Sequence, residues 1–237
     1  MAEQAGTTAY RQARDALLSF QGQHDRALAE FRWPDVGERF NWAIDWFDQI
    51  ARGNEACALW IVEEDGSEQK VSFDAMAQRS DQVAVWLEGL GIGRGDHVLL
   101  MLGNQVELWE TMLAVFKLGA VVMPTTAALA PADLRDRVGR GGARAVVANA
   151  ADTPKFEEVP GDYVRIAVGG AEGWHSYADA YAVQGRPFET VTAASDPLLH
   201  YFTSGTTSKP KLVEHTQISY PVGHLTTCTG SDCGPAS

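Results

Sequence analysis

Length, composition and charge describe a globular chain and exclude two broad classes of partner. The chain has 237 residues, of which 45% are hydrophobic and 21% charged, so it can bury a core without disulfide or metal staples. Nineteen basic and thirty-one acidic residues give a formal net charge of −12, which repels nucleic acid and anionic membranes.

The cysteines and the N-terminus predict a cellular compartment. Cys57, Cys228 and Cys233 form an odd, sparse set without metal-ligand spacing, which favours a reducing environment without disulfides. The first residues lack the basic start and apolar core of a secretory signal, and no apolar run approaches the roughly 18 residues of a membrane span. We therefore expect a cytoplasmic protein with no membrane span.

The N-terminal part is predicted to be helical. Apolar side chains at helical spacing run through residues 8–31, and Pro34 ends the pattern. A second amphipathic helix is predicted over residues 39–54, capped by Asn41 or the residue before it, with Trp42 and Trp46 interpreted as packing residues. We expect residues 1–35 to form an N-terminal helical segment.

Strands and helices then alternate along the chain. Helices are predicted with starts at Ser72, Asn104 and Pro131, the first two ending near Gly91 and Gly119. The predicted strands cover residues 56–62, 94–102, 120–124, 143–149, 163–170 and 196–203. Several of these strands are apolar on both faces, as in a sheet covered by helices. The alternation predicts an α/β fold with a largely parallel sheet flanked by helices.

A polar segment follows the last predicted strand. It reads "TSGTTSKPK" over residues 203–211, and we expect it to connect that strand to a helix. Hydroxyls, backbone amides and two lysines at the end of a strand suit a polyphosphate. The segment is not the common G-x-x-x-x-G-K-[ST] loop, because the fifth residue after Gly205 is Pro210. Composition alone favours a plain solvated turn equally.

The order of residues in this segment is more specific than its composition. "YFTSGTTSKPK" resembles the phosphate loop Thr-Ser-Gly-Thr-Thr-Gly-x-Pro-Lys of the AMP-forming acyl-CoA synthetases, with Ser208 in place of the usual Gly. "WETMLAVFKLGAVVMPTT" is similar to the early core of that adenylate-forming superfamily. "ERFNWAIDWFDQIA" and "LVEHTQISYPVGH" resemble its medium-chain acyl-CoA synthetase branch. The resemblance extends from about Phe31 to His224 and covers nearly the whole chain.

The resemblance implies a reaction and a set of site residues. Enzymes of this family use ATP and Mg²⁺ to convert a carboxylic acid into an acyl-adenylate, and then transfer the acyl group to coenzyme A. In the medium-chain branch the acid is fatty or aromatic. The resemblance implies Lys211 as the catalytic residue, and Thr206 or Thr207 near Mg²⁺, with no residue assigned as a metal ligand. It implies that the residues binding the ATP phosphates are Thr203, Ser204, Gly205, Thr206, Thr207, Ser208, Lys209 and Lys211.

Other polar residues are interpreted as structural. His215 and His224 follow the predicted phosphate loop, and we favour surface or packing roles for both. Lys117 lies at a predicted helix end, where a cation complements the helix dipole. Arg94 and Asp96 are typical turn residues.

The end of the sequence departs from the resemblance. Residues 36–227 are expected to form a partial AMP-binding domain, and residues 228–237, "CTGSDCGPAS", an aberrant tail. One base inserted before the codon of Cys228 allows a reading of Met-Tyr-Trp-Ile-Gly-Leu-Arg-Pro-Gly, which resembles the family's continuation. A one-base frameshift is therefore one hypothesis for this tail, which the nucleotide sequence tests.

Three interpretations remain open from the sequence. The chain is part of an acid–CoA ligase whose other segments are elsewhere, or a non-catalytic remnant that binds ATP or serves as an interaction module. The third is an unrelated α/β protein that binds a sugar or nucleotide. Because the family's adenine, ribose and acyl segments follow the phosphate loop, we expect residues 1–237 alone to be inactive. The sequence predicts no oligomeric state.

Overall fold

The computed structural model of the protein describes residues 5–203 and 210–227. The helices are α1 (Ala5–Ser19), α2 (His24–Glu30), α3 (Asp48–Ala51), α4 (Phe73–Gly89), α5 (Val106–Lys117), α6 (Pro131–Gly141) and α7 (Ser219–Thr227). A π-helical segment spans Trp42–Phe47, and 3₁₀ segments span Ala150–Phe156 and Tyr177–Ala182. The strands are β1 (Cys57–Val62), β2 (Glu68–Ser72), β3 (His97–Met101), β4 (Val121–Pro124), β5 (Ala143–Asn149), β6 (Val164–Val168), β7 (His175–Ser176), β8 (Pro197–Thr203) and β9 (Lys211–Thr216).

The strands form one large sheet and one separate hairpin. The large sheet has seven strands in the order β7-β6-β5-β3-β4-β8-β9. Its pairs are parallel as far as β8, and β9 then pairs with β8 in the antiparallel direction. Strands β1 and β2 form a two-stranded antiparallel sheet of their own. The predicted α/β class with a largely parallel sheet is confirmed.

Helices cover both faces of the large sheet. Along β3, Val98 and Leu100 belong to a core shared with α4 and α5, whereas Leu99 and Met101 belong to a core shared with α6. This alternation follows from the two-residue period of a strand, and a strand apolar at every position is therefore buried on both sides. Among the residues described, no helix is long and apolar enough to cross a bilayer.

The N-terminal helix packs against the last described helix. Tyr10 and Leu17 of α1 share a third apolar core with Phe40 and with Leu225 of α7. The Tyr10 hydroxyl donates a hydrogen bond to the Pro221 carbonyl at 2.8 Å. Helix α1 is therefore held by residues more than 200 positions away.

Several local predictions are confirmed and several are wrong. The Asn41 and Ser72 side chains cap their helical segments as predicted. The single helix expected over residues 8–31 is instead two helices, separated by a turn in which Gly22 has a φ of 74°. Asn104 does not cap α5, because its Oδ1 accepts from the Trp109 indole and Gln105 occupies the cap position.

The connection after β8 also differs from its prediction. The segment over residues 203–211 is predicted to lead from a strand into a helix, but residues Lys211–Thr216 form the edge strand β9. Strand β9 pairs with β8, with Lys211 opposite Thr203 at one end and Thr216 opposite Pro197 at the other. Such pairing between two segments is not visible in the local sequence pattern of either one. The two described ends of the predicted phosphate segment, Thr203 and Lys211, are therefore paired in neighbouring antiparallel strands.

Candidate functional site

The two ends of the predicted phosphate segment lie opposite each other at the carboxyl end of β8. Thr203 is the last residue of β8 and Lys211 the first of β9, and the two are paired in register. The Thr203 hydroxyl donates to the Lys211 carbonyl at 3.4 Å, and both residues are exposed. The six predicted site residues between them, Ser204, Gly205, Thr206, Thr207, Ser208 and Lys209, lie outside the described residues.

This position suits an external anionic ligand. Strands β3, β4 and β8 run parallel, so their carboxyl ends meet at one edge of the sheet, where open α/β sheets bind ligands. The side chains of Thr203 and Lys211 offer a hydroxyl and a cation at that edge. Within residues 5–203 and 210–227, no group of three or more His, Cys, Asp or Glu is arranged to hold a metal ion.

A row of aromatic rings leads from β8 towards α7. The Tyr201 ring lies 5.8 Å from the His215 ring, which lies 6.0 Å from Tyr220. Tyr220 lies 4.4 Å from His224, which lies 6.4 Å from Trp42. Burial lowers the pKa of His224, so its imidazole is neutral at pH 7. These contacts agree with the packing roles interpreted for both histidines.

An apolar cavity lies at the far end of this row. It has a volume of about 250 Å³ and lies between α4, α5, β1 and α7. Its walls include Trp42, Phe73, Trp109, Phe116 and Tyr220, and among the residues that the structure describes no Asp, Glu, Lys or Arg lines it. With His224 neutral, this lining has no cation for a carboxylate, so the cavity suits only an apolar group. Sequence pattern did not reveal it, because its walls come from five separate elements.

Lys117 of α5 is fully buried in a cluster of ion pairs. The Lys117 ammonium lies 2.6 Å from Asp81 Oδ1 and 2.9 Å from Asp48 Oδ1, and it donates to the Ala77 carbonyl. Burial raises the pKa of Asp48, while Lys117 and then Arg52 oppose that rise. Lys117 is the last residue of α5, as predicted, and its ion pairs join α5 to α3 and α4, which agrees with a structural role.

Another buried acid, Glu110, lies between α4, α5 and the 3₁₀ segment Tyr177–Ala182. The Glu110 side chain is fully buried, accepts from the Tyr181 hydroxyl at 2.7 Å and lies 3.4 Å from the partly exposed Arg79 guanidinium. Burial raises the pKa of Glu110, and the contacts with Tyr181 and Arg79 oppose that rise. No local sequence pattern indicates this group, because Tyr181 and Arg79 come from distant segments.

Arg94 and Asp96 lie in the turn before β3, as predicted. Asp96 accepts a hydrogen bond from the Gly93 amide at 2.8 Å, which closes the turn. The Arg94 guanidinium instead reaches across to Asp196, 2.6 Å away, just before β8. Both residues therefore act in local structure at the amino end of the sheet, on the side opposite Thr203 and Lys211.

Comparison with known families and proteins gives one consistent result. The AMP-binding enzyme family matches residues 46–235. The chain is 33% identical over 197 residues to 4-hydroxybutyrate–CoA ligase 1 of Metallosphaera sedula, covering 81% of this chain and 34% of that protein. It is 31% identical over 204 residues to the human mitochondrial acyl-coenzyme A synthetase ACSM5, covering 80% and 35% of the two chains.

The solved structures agree on the fold. Acetoacetyl-CoA synthetase from Streptomyces lividans superposes with a TM-score of 0.73 at 20% identity, over 82% of this chain and 33% of that one. At this identity the likeness concerns the fold alone. The chain spans about a third of the length of the relatives that it matches.

Proposed function

Because the chain belongs to the AMP-binding enzyme family, we propose that it is part of an ATP-dependent acid–CoA ligase. The observation that carries this proposal is the hairpin at the carboxyl edge of the parallel sheet. There Thr203 and Lys211, the two described residues of the predicted phosphate segment, are exposed and paired with each other. In the proposed domain division, this hairpin lies near the end of an adenylation part that covers residues 36–227.

The proposed reaction activates a carboxylic acid and passes it to coenzyme A. The acid carboxylate attacks the α-phosphorus of ATP, which gives an acyl-adenylate and pyrophosphate, and the coenzyme A thiol then displaces AMP. Lys211 and the hydroxyls of the segment that starts at Thr203 would contact the departing phosphates, which Mg²⁺ would also neutralise. A positioned cation and donors lower the barrier because charge grows on these oxygens in the transition state.

We also propose that residues 1–237 do not complete this reaction alone. The described surface offers donors for phosphates and an apolar cavity, but ligand affinity depends on a concave site that surrounds most of the ligand. A third of the family's usual length supplies only part of such a site. The acid, coenzyme A and a fatty-acid pathway are therefore proposed for the whole enzyme.

Two measurements on the 237-residue protein test the proposal. Calorimetric titration with Mg·ATP is expected to show weak binding that Lys211→Ala reduces, while Lys70→Ala, which removes an exposed lysine from β2, leaves it unchanged. Equal loss in both variants would contradict a specific phosphate contact. ATP–pyrophosphate exchange is expected to be absent. Exchange above background would show that the chain catalyses the adenylation step by itself, and binding without exchange fits a non-catalytic ATP-binding module.

A further inference from the structure

Two arginines of α6 lie against the base of the β8–β9 hairpin. The Arg140 guanidinium donates to the Pro210 carbonyl at 2.9 Å, directly before β9. Its carbon lies 5.4 Å from the centre of the Phe202 ring, and that of Arg137 lies 4.5 Å from it. Phe202 is the residue before Thr203, so these arginines contact the chain on both sides of residues 203–209.

The close fit of α6 on the sheet keeps these contacts short. At Gly141 a side-chain carbon would lie 2.5 Å from the Met123 sulfur and 3.5 Å from the Phe202 ring. Only the absence of a side chain lets the end of α6 approach β4 and β8 this closely. The last turns of α6, which carry Arg137 and Arg140, therefore pack directly against the side chains of Met123 and Phe202.

The two arginines differ in their partners. Arg140 is fixed by Asp136 one helical turn earlier, with three hydrogen bonds of 2.7 to 3.0 Å. Arg137 has its Nε buried, and among the described residues no group accepts a hydrogen bond from that atom. Burial lowers the pKa of Arg137, the nearby charges of Asp133 and Asp136 oppose that fall, and Arg140 adds to it. Arg140 is therefore an anchored donor, whereas Arg137 is a partly desolvated cation stacked on an aromatic ring.

We propose that Arg137 and Arg140 are positioning residues for the predicted phosphate segment, holding its incoming strand through Phe202 and its outgoing strand through Pro210. This inference rests on the proposed function. Helix-on-sheet packing alone does not account for the contacts, because an apolar side chain at either position would cover Phe202 equally well. A donor directed at the Pro210 carbonyl, and a partly buried cation stacked on Phe202, fit residues that hold the two described ends of this segment in one geometry.

Hydrogen exchange of the 237-residue protein tests the anchor without any ligand. Arg140→Gln is expected to speed exchange of the Leu212–Glu214 amides about fivefold, the factor that corresponds to one hydrogen bond. Arg140→Lys keeps a donor for Pro210 and is expected to fall between wild type and Arg140→Gln. Arg135→Gln is the matched control, because Arg135 lies on the same helix, half exposed, with only a 3.7 Å contact to Glu158. Equal exchange in Arg140→Gln and Arg135→Gln overturns the anchor.

Titration with inorganic pyrophosphate tests the link to function. Arg137→Gln and Arg140→Gln are each expected to weaken pyrophosphate binding at least about fivefold. The control Arg135→Gln is expected to bind within about twofold of wild type. All three variants are expected to have similar melting temperatures. If wild type binds pyrophosphate and these variants bind it equally well, the positioning role is wrong while the proposed function stands. If wild type binds neither pyrophosphate nor Mg·ATP, the phosphate role fails for the chain, and with it the positioning role.

Discussion

Replacing Lys117 by Met is expected to destabilise the fold far more than removing a surface lysine. The change removes the cation that lies within 2.9 Å of the buried carboxylates of Asp48 and Asp81. The remaining cation, Arg52, is about a third exposed and contacts both acids from the solvent side. Breaking a buried ion pair by removing one partner costs about 3–5 kcal/mol, because an uncompensated charge stays buried.

The pH dependence of this loss follows from the direction of the Asp48 pKa. Burial already raises that pKa, and loss of the Lys117 charge raises it further. A carboxyl group whose folded pKa lies above its unfolded pKa contributes stability at low pH that is lost as the pH rises through the folded pKa. The Lys117→Met deficit is therefore expected to be larger at pH 7.5 than at pH 5.

Urea unfolding followed by circular dichroism at both pH values measures these effects. The matched control is Lys155→Met, which removes a partly exposed lysine paired with Asp152 and is expected to cost about 0–1 kcal/mol. Adding Asp48→Asn to Lys117→Met is expected to recover about 1–3 kcal/mol, because it removes one of the two buried charges that Arg52 alone would otherwise balance. A Lys117→Met loss no larger than that of Lys155→Met, or one that grows towards pH 5, would refute this reasoning.

Three further outcomes are expected from the same unfolding assay. Gly141→Ala places a carbon against Met123 and is expected to cost about 1–3 kcal/mol, whereas Gly139→Ala, with nothing within 4 Å, is neutral or stabilising by up to about 1 kcal/mol. The raised pKa of the fully buried Glu110 carboxylate makes the free energy of unfolding fall as the pH rises. Glu110→Gln is therefore expected to make that free energy depend less on pH between about pH 5 and 7.5, and an unchanged dependence would contradict this. Asn41→Ala removes a helix cap and a 2.7 Å hydrogen bond, and a loss below about 1 kcal/mol would be unexpected.

The sequence predicted the elements whose pattern is local. The run Val98–Leu100 is apolar at each position, which only a strand buried on both faces explains, and the structure has it at the centre of the sheet. Gly91 and Gly119 follow helix ends with φ values of 83° and 69°, a conformation that other residues rarely adopt. The helix ends were therefore predictable from single residues.

Features that depend on distant partners were not predictable in this way. Strand β9 was missed because "KLVEHT" has no clear two-residue period, and its strand conformation follows from pairing with β8. Lys117 has the structural role that was predicted for it. Its partners Asp81 and Asp48 lie 36 and 69 positions earlier, so the sequence could indicate its place at a helix end but not its ion pairs. The predicted site residues from Ser204 to Lys209 lie outside the described residues, and their roles stay predictions.

The contact between the first and the last described helix has a consequence for biosynthesis. Tyr10 donates to Pro221, and the core that contains Tyr10 and Leu17 is completed by Leu225. Chain elongation delivers α1 first, yet its partner surface on α7 leaves the ribosome only after about 200 further residues have been added. Until α7 emerges, Phe40 and Trp46 can pack on α1, but the part of the core that Leu225 completes stays uncovered, and uncovered apolar surface on a nascent chain is what chaperones bind.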